Sequence, residues 1–354
     1  MSTAASSAIR LPTSLDLGLR RQARSGARAV DRLLVLDAAR VVAAMGVVWF
    51  HTIESDTLRA SGVLGRFSVA FYTIIAVLFL AEPLERNPDR TFGQYAWARI
   101  KRLYLPFLAW TALSLPVLML ARKWDSGLPI PALDYNLLIS GATLPLWFIP
   151  FVVLATLLAF PVVKWAGRNR QRELMVLAAS VGVALFLDLA AWDAPPLQGV
   201  PLIGKLLELS WNRWSAIWWG LALAIAYRRW LKDSSWRSLV GALGAVATVG
   251  LVATMWRFGM DSWEKVLCGL AFALLTLAPW RGVWVEKLGR YGRLSFGVYF
   301  MHMTVILVLR AIANQIHNDG CWQRDVVLFL VTVLVCWGSL IGLERVRALR
   351  WLIA

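Results

Sequence analysis

Three ionisable residues, Asp37, Arg40 and His51, interrupt the apolar stretch LVLDAARVVAAMGVVWFHTI at residues 34–53. About 20 residues at 1.5 Å rise per residue cover roughly 30 Å, so this stretch is long enough to span a bilayer. At about 100° per residue, Arg40 and His51 lie within about 20° of each other around a helix, and Asp37 lies within about 40° of His51. Ionisable groups cost about 2.5–3.5 kcal/mol at the centre of a membrane helix, and proteins keep them there for function. The stretch therefore predicts a protein-lined site on one face of the first helix.

The imidazole of His51 is suited to proton transfer, because its unperturbed pKa of about 6.5 is close to the working pH. A well-placed general base contributes about 10²–10⁴-fold to a reaction rate. Alternatively, Asp37, Arg40 and His51, with His302 later in the chain, form the proton relay or substrate path of a secondary transporter. These residues alone leave both the enzyme and the transporter open.

A basic cluster, RIKRLYLP at 99–106, stands at the start of the third predicted span. Arg99 and Arg102 are three residues apart and project from the same side of an α-helix, whereas Lys101 faces away from Arg99. Guanidinium groups bind phosphates through paired hydrogen bonds, which suits a phosphorylated cytoplasmic ligand. The alternative is a membrane anchor whose basic side chains reach the lipid headgroups.

Two further motifs lie at the ends of predicted spans. The segment LWFIP at 146–150 contains Trp147 and is typical of the aromatic belt at a membrane interface. The segment GRYGRLSFGVYFMH at 289–302 leads from a basic loop into an apolar run and places Tyr299 and His302 in the membrane. His302 is either a hydrogen-bonded structural group or part of the site. Arg310, in the outer half of the same run, is predicted to face the site from the external side.

The composition is that of an integral membrane protein. Of the 354 residues, 59% are hydrophobic and 16% are charged, and the mean hydropathy is +0.61. The three cysteines show no paired spacing, so no metal site is predicted. The net charge of +16 is explained by cytoplasmic loops and anionic lipid, and no nucleic-acid-binding module is present in the sequence.

Apolar runs predict ten membrane-spanning helices in an all-α protein with both termini in the cytoplasm. The runs lie near 34–53, 63–82, 102–121, 146–164, 173–191, 213–228, 237–256, 263–280, 294–313 and 325–343. With this topology, 26 of the 37 basic residues fall in cytoplasmic segments and 10 in external ones. We predict a basic, disordered tail at 1–32, one transmembrane domain at 33–345 and a short cytoplasmic tail at 346–354.

Taken together and in this order, LDAAR with His51, RIKRLYLP, LWFIP and GRLSFGVYFMH resemble the acyltransferase-3 family of membrane acyltransferases. The resemblance extends from residue 34 to residue 302. It implies transfer of an acyl group, usually acetyl from acetyl-CoA, to a hydroxyl of a cell-envelope glycan. It also implies that the protein lies in the bacterial inner membrane. It also implies functional roles for Arg40 with His51 and for Arg99 with Arg102.

On this basis, Arg99 and Arg102 are expected to hold the phosphates of acetyl-CoA, with a weaker contribution from Lys101. Arg40 steers the pantetheine arm or holds Asp37, and His51 is the general base or, alternatively, carries the acetyl group covalently. Glu54 either orients the ring of His51 or is a solvated loop residue.

The expected partners are membrane lipid, a glycan or lipid-linked oligosaccharide acceptor and polysaccharide-assembly proteins, with an exopolysaccharide as the favoured acceptor. The donor is either acetyl-CoA or a longer acyl-CoA. A structural protein of a glycan-assembly complex is a third hypothesis, but it leaves the intramembrane charges unexplained.

Overall fold

The computed structural model describes residues 34–167, 169–190, 200–232, 235–259, 262–316 and 321–353. Within these ranges the protein is all-α and contains no β-strand, which confirms the predicted fold class. The predicted tail at 1–32 lies outside the described residues.

A helix occurs at each of the ten predicted spans. In chain order these are α1 Leu34–Thr52, α2 Asp56–Arg86, α3 Phe92–Ala121, α4 Leu144–Ala166, α5 Arg170–Leu189, α6 Ser215–Ala226, α7 Trp236–Phe258, α8 Ser262–Leu275, α9 Ser295–Ile316 and α10 Trp322–Arg345. Seven stretches in the described part of the chain are long and apolar enough to cross a membrane, namely α1 to α4, α7, α10 and the stretch Val283–Gln315 that contains α9. The other three helices are charged at one end (α5) or only 12 and 14 residues long (α6 and α8). The count of ten spans and the sides of the termini therefore stay predictions.

The central element is α2, which is broken into shorter helical pieces along its length. Its most buried piece, Ser68–Leu78, packs against α4, α6 and α8. Phe71 is fully buried there, and its ring lies 4.9 Å from that of Phe272 in α8. Further out, α7 packs on α8, and α9 packs on both α3 and α10. This arrangement places α2 and α9 beside α1, which carries the ionisable residues.

The backbones of α1 and α2 are in direct contact at two glycines. A side chain on Gly65 would collide with the carbonyl group of Gly46, and a side chain on Gly46 would collide with the carbonyl oxygen of Leu64. Next to this contact, the hydroxyl of Ser68 donates to the carbonyl of Ala43 at 3.0 Å. The glycine pair therefore sets the distance between the two helices in the half of α1 that carries His51.

The end of the chain is packed against the helices. Residues Arg347–Leu352 form a 3₁₀-helix, and the indole N–H of Trp110 in α3 donates to the carbonyl of Leu352 at 3.0 Å. Leu352 and Ile353 are buried. The segment predicted as a short tail is thus an ordered element that supports α3.

Candidate functional site

One end of the site is an ion pair on α1. Arg40 Nη1 lies 3.1 Å from Asp37 Oδ1, and each side chain retains about a quarter of its exposure (26% and 25%). The phenol of Tyr72, on α2, donates to the carbonyl of Arg40 at 2.7 Å. The backbone of Gly292 lies against Asp37 so closely that any side chain at position 292 would collide with it. The segment before α9 therefore packs directly against Asp37 and limits the movement of the Asp37–Arg40 pair.

The basic cluster lies near the same end but has a different geometry from the predicted α-helix. Residues Ile100–Tyr104 form a π-helix inside α3, which corrects the assumption that Arg99 and Arg102 are related by α-helical spacing. The positive charges of Arg99 and Arg40 both act on Arg102. π-Helical turns occur frequently at functional sites.

Individual side chains of this cluster have distinct partners. Arg99 Nε donates to the phenol oxygen of Tyr95 at 2.7 Å, and the guanidinium lies 5.1 Å from the centre of that ring. Lys101 is exposed and lies over the ring of Trp97 at 4.8 Å. Arg102 is exposed, and no carboxylate among the described residues pairs with it. Arg102 is thus the most available cation of the three.

Aromatic rings fill the middle of the site. The rings of Tyr72 and Phe148 are 6.1 Å apart, and those of Phe148 and Tyr299 are 5.2 Å apart. Tyr299 is buried, and its hydroxyl donates to the carbonyl of Pro145 at 2.7 Å. Trp147 is partly buried and packs beside Phe148 with a centroid distance of 6.4 Å. The LWFIP and GRLSFGVYFMH motifs therefore meet each other and α2 along one aromatic wall.

The other end of the site contains the two histidines. The ring centroids of His51 and His302 are 5.4 Å apart, and His302 is 5.6 Å from Tyr299. His51 is partly exposed, and its ring lies 4.8 Å from that of Phe50. Within the described part of the chain, no residue forms a hydrogen bond with the ring nitrogens of His51. Its imidazole is therefore free to meet a substrate.

His302 is fully buried, and its hydrogen bonds define its tautomer. Nδ1 lies 2.9 Å from the carbonyl oxygen of Tyr299 and 3.2 Å from that of Val298, so we assign the proton to Nδ1. Nε2 is then an acceptor, and it is buried without a partner among the described residues. Buried polar atoms are nearly always hydrogen-bonded, so an unpartnered acceptor beside His51 is typical of a functional position.

Among the described residues, Glu54 forms no hydrogen bond or ion pair with the ring of His51, unlike one of its two predicted roles. Its carboxylate pairs instead with Arg310 Nε at 2.8 Å and with Arg324 Nη2 at 3.3 Å. Arg310 Nη2 also donates to the carbonyl oxygen of His51 at 2.8 Å. Glu54 and Arg310 therefore link the end of α1 to α9 and α10. The link to His51 is made through its backbone carbonyl and not through its imidazole ring.

Asp325 is a residue of this region that the sequence analysis did not select. It is fully buried at the start of α10 and accepts hydrogen bonds from the backbone N–H of Glu54 at 3.2 Å and of Ser55 at 3.0 Å. The hydroxyl of Ser55 also donates to it. Its position at the first residue of the apolar run 325–343 gave only a weak signal, since ionisable groups are common at the ends of membrane helices. Tyr72 was also missed as a partner of Arg40.

No group of histidine, cysteine and acidic residues in the described ranges is suited to a metal ion. A search of curated proteins and a search of solved structures both found no significant match. The family model described as an acyltransferase domain matches residues 33–342. This range includes every motif of the site, and the chain belongs to the acyltransferase-3 family and is a multi-pass membrane acyltransferase.

Proposed function

We propose that the protein transfers an acetyl group from acetyl-CoA to a sugar hydroxyl of a cell-envelope or secreted polysaccharide, in the bacterial inner membrane. The observation that carries this proposal is the separation of two clusters along α1. At one end, the positive charges of Arg40 and Arg99 act on Arg102, and at the other end the rings of His51 and His302 are 5.4 Å apart. The arginine end suits a donor that carries several negative charges, and the histidine end suits proton transfer.

The donor binds at the arginine end. Coenzyme A carries several phosphates, and guanidinium groups bind phosphates through charge-assisted hydrogen bonds. We assign the main contact with these phosphates to Arg102, because it is exposed and the positive charges of two other arginines act on it. Asp37 orients Arg40 through their ion pair. Lys101 contributes less, because it lies on Trp97.

The pantetheine arm carries the thioester along α1 past the aromatic wall. Arg40 and His51 are separated by eleven residues, or about 16 Å at 1.5 Å per residue. A long flexible arm covers such a distance. The rings of Tyr72, Phe148 and Tyr299 are buried beside this path and keep water away from the thioester.

At the histidine end, His51 removes the proton from the acceptor hydroxyl as its oxygen attacks the thioester carbonyl. The new C–O bond forms, the tetrahedral intermediate collapses, and the C–S bond breaks. The proton held by His51 then passes to the departing thiolate of coenzyme A. Nε2 of His302 supports this step by accepting a hydrogen bond from the imidazole of His51, directly or through one water molecule. His302 is thus a positioning residue.

The acceptor approaches from the side of Glu54 and Arg310. We propose a glycan or lipid-linked oligosaccharide as acceptor, with membrane lipid and polysaccharide-assembly proteins as partners. The ion pairs of Glu54 with Arg310 and Arg324 fix the end of α1 at this entrance.

Binding and hydrolysis of radiolabelled acetyl-CoA by the purified protein in detergent test the proposal. We expect the wild type to bind and slowly hydrolyse the donor. Arg99→Gln/Arg102→Gln is expected to lose binding, whereas His51→Ala is expected to bind without turnover. Lys101→Gln is the matched control, because it removes one neighbouring positive charge that lies on Trp97.

Three results contradict parts of the proposal. If the wild type binds no acetyl-CoA in detergent or in reconstituted vesicles, the donor assignment is wrong, and transport by the buried charges becomes the better hypothesis. If His51→Ala hydrolyses acetyl-CoA at the wild-type rate, His51 is not the base. Equal losses in Lys101→Gln and in the arginine double variant show that charge alone, and not these positions, governs binding.

A further inference from the structure

A cavity of about 400 Å³ lies between the ends of α2, α4 and α6. Its walls carry three apolar and three charged side chains, namely Leu84, Pro88, Val163, Glu85, Lys164 and Arg228. Binding sites for small molecules have volumes of about 300–1,000 Å³ and are mostly apolar, with a few polar groups that fix the ligand. The cavity therefore suits a small ligand that has both an apolar ring and a charged group.

The two cations of the cavity differ in their partners. Arg228 is neutralised, because its guanidinium pairs with Glu173 at 2.6 Å and with Glu85 at 3.8 Å. Lys164 is exposed, and its ammonium donates to the backbone carbonyl of Arg90 at 2.9 Å. In the part of the chain that the structure describes, no carboxylate pairs with Lys164 or with Arg90. Two unneutralised cations therefore come from neighbouring positions at the edge of the cavity.

The ring of Tyr95 connects these cations to the donor arginines. The guanidinium of Arg90 lies 5.4 Å from the centre of this ring, and that of Arg99 lies 5.1 Å from it. Tyr95 is buried, and its ring stacks at 4.8 Å on that of Phe160, about one turn before Lys164 in α4. The edge of the cavity and the arginine end of the site are thus on opposite sides of one aromatic ring.

Coenzyme A has the matching arrangement of charges. Its diphosphate joins the pantetheine arm to the ribose, and a separate phosphate on the 3′-hydroxyl of that ribose lies near the adenine ring. Guanidinium and ammonium groups both bind phosphates. Two neighbouring groups of cations beside a largely apolar cavity suit a ligand with two phosphate groups and a flat base. A thioester on a carrier protein has no nucleotide and would leave the cavity unused.

We propose that this cavity binds the adenine ring of coenzyme A and that Arg90 and Lys164 bind its 3′-phosphate. Arg99 and Arg102 then hold the diphosphate. This inference rests on the proposed function for the identity of the donor as a coenzyme A thioester. It adds the basis of donor selection: the protein recognises a free coenzyme A thioester by its nucleotide end.

Equilibrium binding of coenzyme A and of 3′-dephospho-coenzyme A tests this site, with the protein in nanodiscs of neutral phosphatidylcholine. We expect the wild type to bind coenzyme A about 10- to 100-fold more tightly, as charge-assisted hydrogen bonds to one phosphate predict. In Arg90→Gln/Lys164→Gln this preference should disappear. The Kd of that variant for 3′-dephospho-coenzyme A should equal the wild-type Kd, which shows that the variant is folded.

Two further variants separate the site from its surroundings. Arg99→Gln/Arg102→Gln should weaken the binding of both ligands and keep the preference for coenzyme A, because the diphosphate is common to the two. Arg170→Gln/Arg172→Gln is the matched control, because it removes two exposed charges at the start of α5 that do not line the cavity. This control should keep the wild-type preference.

Several outcomes overturn the assignment. These are equal affinity of the wild type for the two ligands, a preference that persists in Arg90→Gln/Lys164→Gln, and a preference that is lost equally in the control. Adenosine 3′,5′-bisphosphate should displace coenzyme A from the wild type, and inorganic phosphate that competes equally well overturns the adenine assignment. If the wild type binds neither ligand, the proposed donor is wrong, and the nucleotide site is wrong with it. Selective binding of coenzyme A without turnover of acetyl-CoA contradicts only the proposed function.

Discussion

The imidazole rings of His51 and His302 lie 5.4 Å apart although 251 positions separate them in the chain. His302 donates from Nδ1 to backbone carbonyls of its own helix, which leaves Nε2 as an acceptor without a partner in the described chain. A catalytic base that is oriented by a second group is common among enzymes that activate a hydroxyl. In the proposed mechanism, this pair is how the apolar helix α9 contributes to proton transfer.

Replacing His302 tests this relationship. We expect His302→Leu to lower kcat about 10- to 100-fold with an unchanged Kd for acetyl-CoA, because the imidazole of His51 loses its orienting acceptor. In His302→Gln the side-chain carbonyl lies near the former position of Nε2, so part of the rate should return. A shifted pH–rate profile in His302→Leu distinguishes positioning from packing. Identical rates in the leucine and glutamine variants contradict the positioning role.

Asp325 is expected to stabilise the end of α1 that carries His51. Each carboxylate oxygen of Asp325 accepts from one backbone N–H group, so Asp325→Asn places a donor against one of these two donors, at a cost of about 2–4 kcal/mol. The measurement is the thermal unfolding midpoint in detergent, together with the Kd for acetyl-CoA, which should not change. Asp56→Asn is the matched control, because Asp56 is 93% exposed in its pair with Arg59. Equal midpoints for the two variants exclude a structural role for Asp325.

A glycine at the contact of α1 with α2 and a glycine in an open position are expected to respond differently to substitution by alanine. Gly65→Ala forces the two helices apart, since a methyl group collides with the carbonyl of Gly46, and should cost about 2 kcal/mol or more. Gly250→Ala in α7 meets nothing within 4 Å and should be neutral or stabilising by up to about 1 kcal/mol. Unfolding midpoints and expression in the membrane measure both. Tolerance of Gly65→Ala refutes the tight packing of these helices.

Donor binding should weaken as salt increases. The Debye length falls from about 10 Å at 0.1 M to about 3 Å at 1 M, so an attraction between arginines and the phosphates of coenzyme A is screened. We expect the Kd for acetyl-CoA to rise several-fold between about 0.05 M and 0.5 M NaCl, and to change less in Arg99→Gln/Arg102→Gln. Acetyl-pantetheine, which has no phosphate, is the control ligand. A salt-independent Kd for acetyl-CoA contradicts the arginine site.

The sequence by itself determined the fold class and the location of the helices. Each apolar run became a helix because helix formation depends on local hydrogen bonds and on removing a continuous apolar surface from water. The presence of Asp37, Arg40 and His51 on α1, and the family membership, were also evident from residue types and their order.

The tertiary structure decided which residues meet. Glu54 pairs with Arg310 and Arg324 rather than with the nearby ring of His51, because α9 and α10 bring their cations to the end of α1. The π-helical turn at Ile100–Tyr104 likewise replaced the α-helical spacing that was predicted for the basic cluster. Contacts between helices depend on the packing of residues far apart in the chain, and local periodicity carries no information about them.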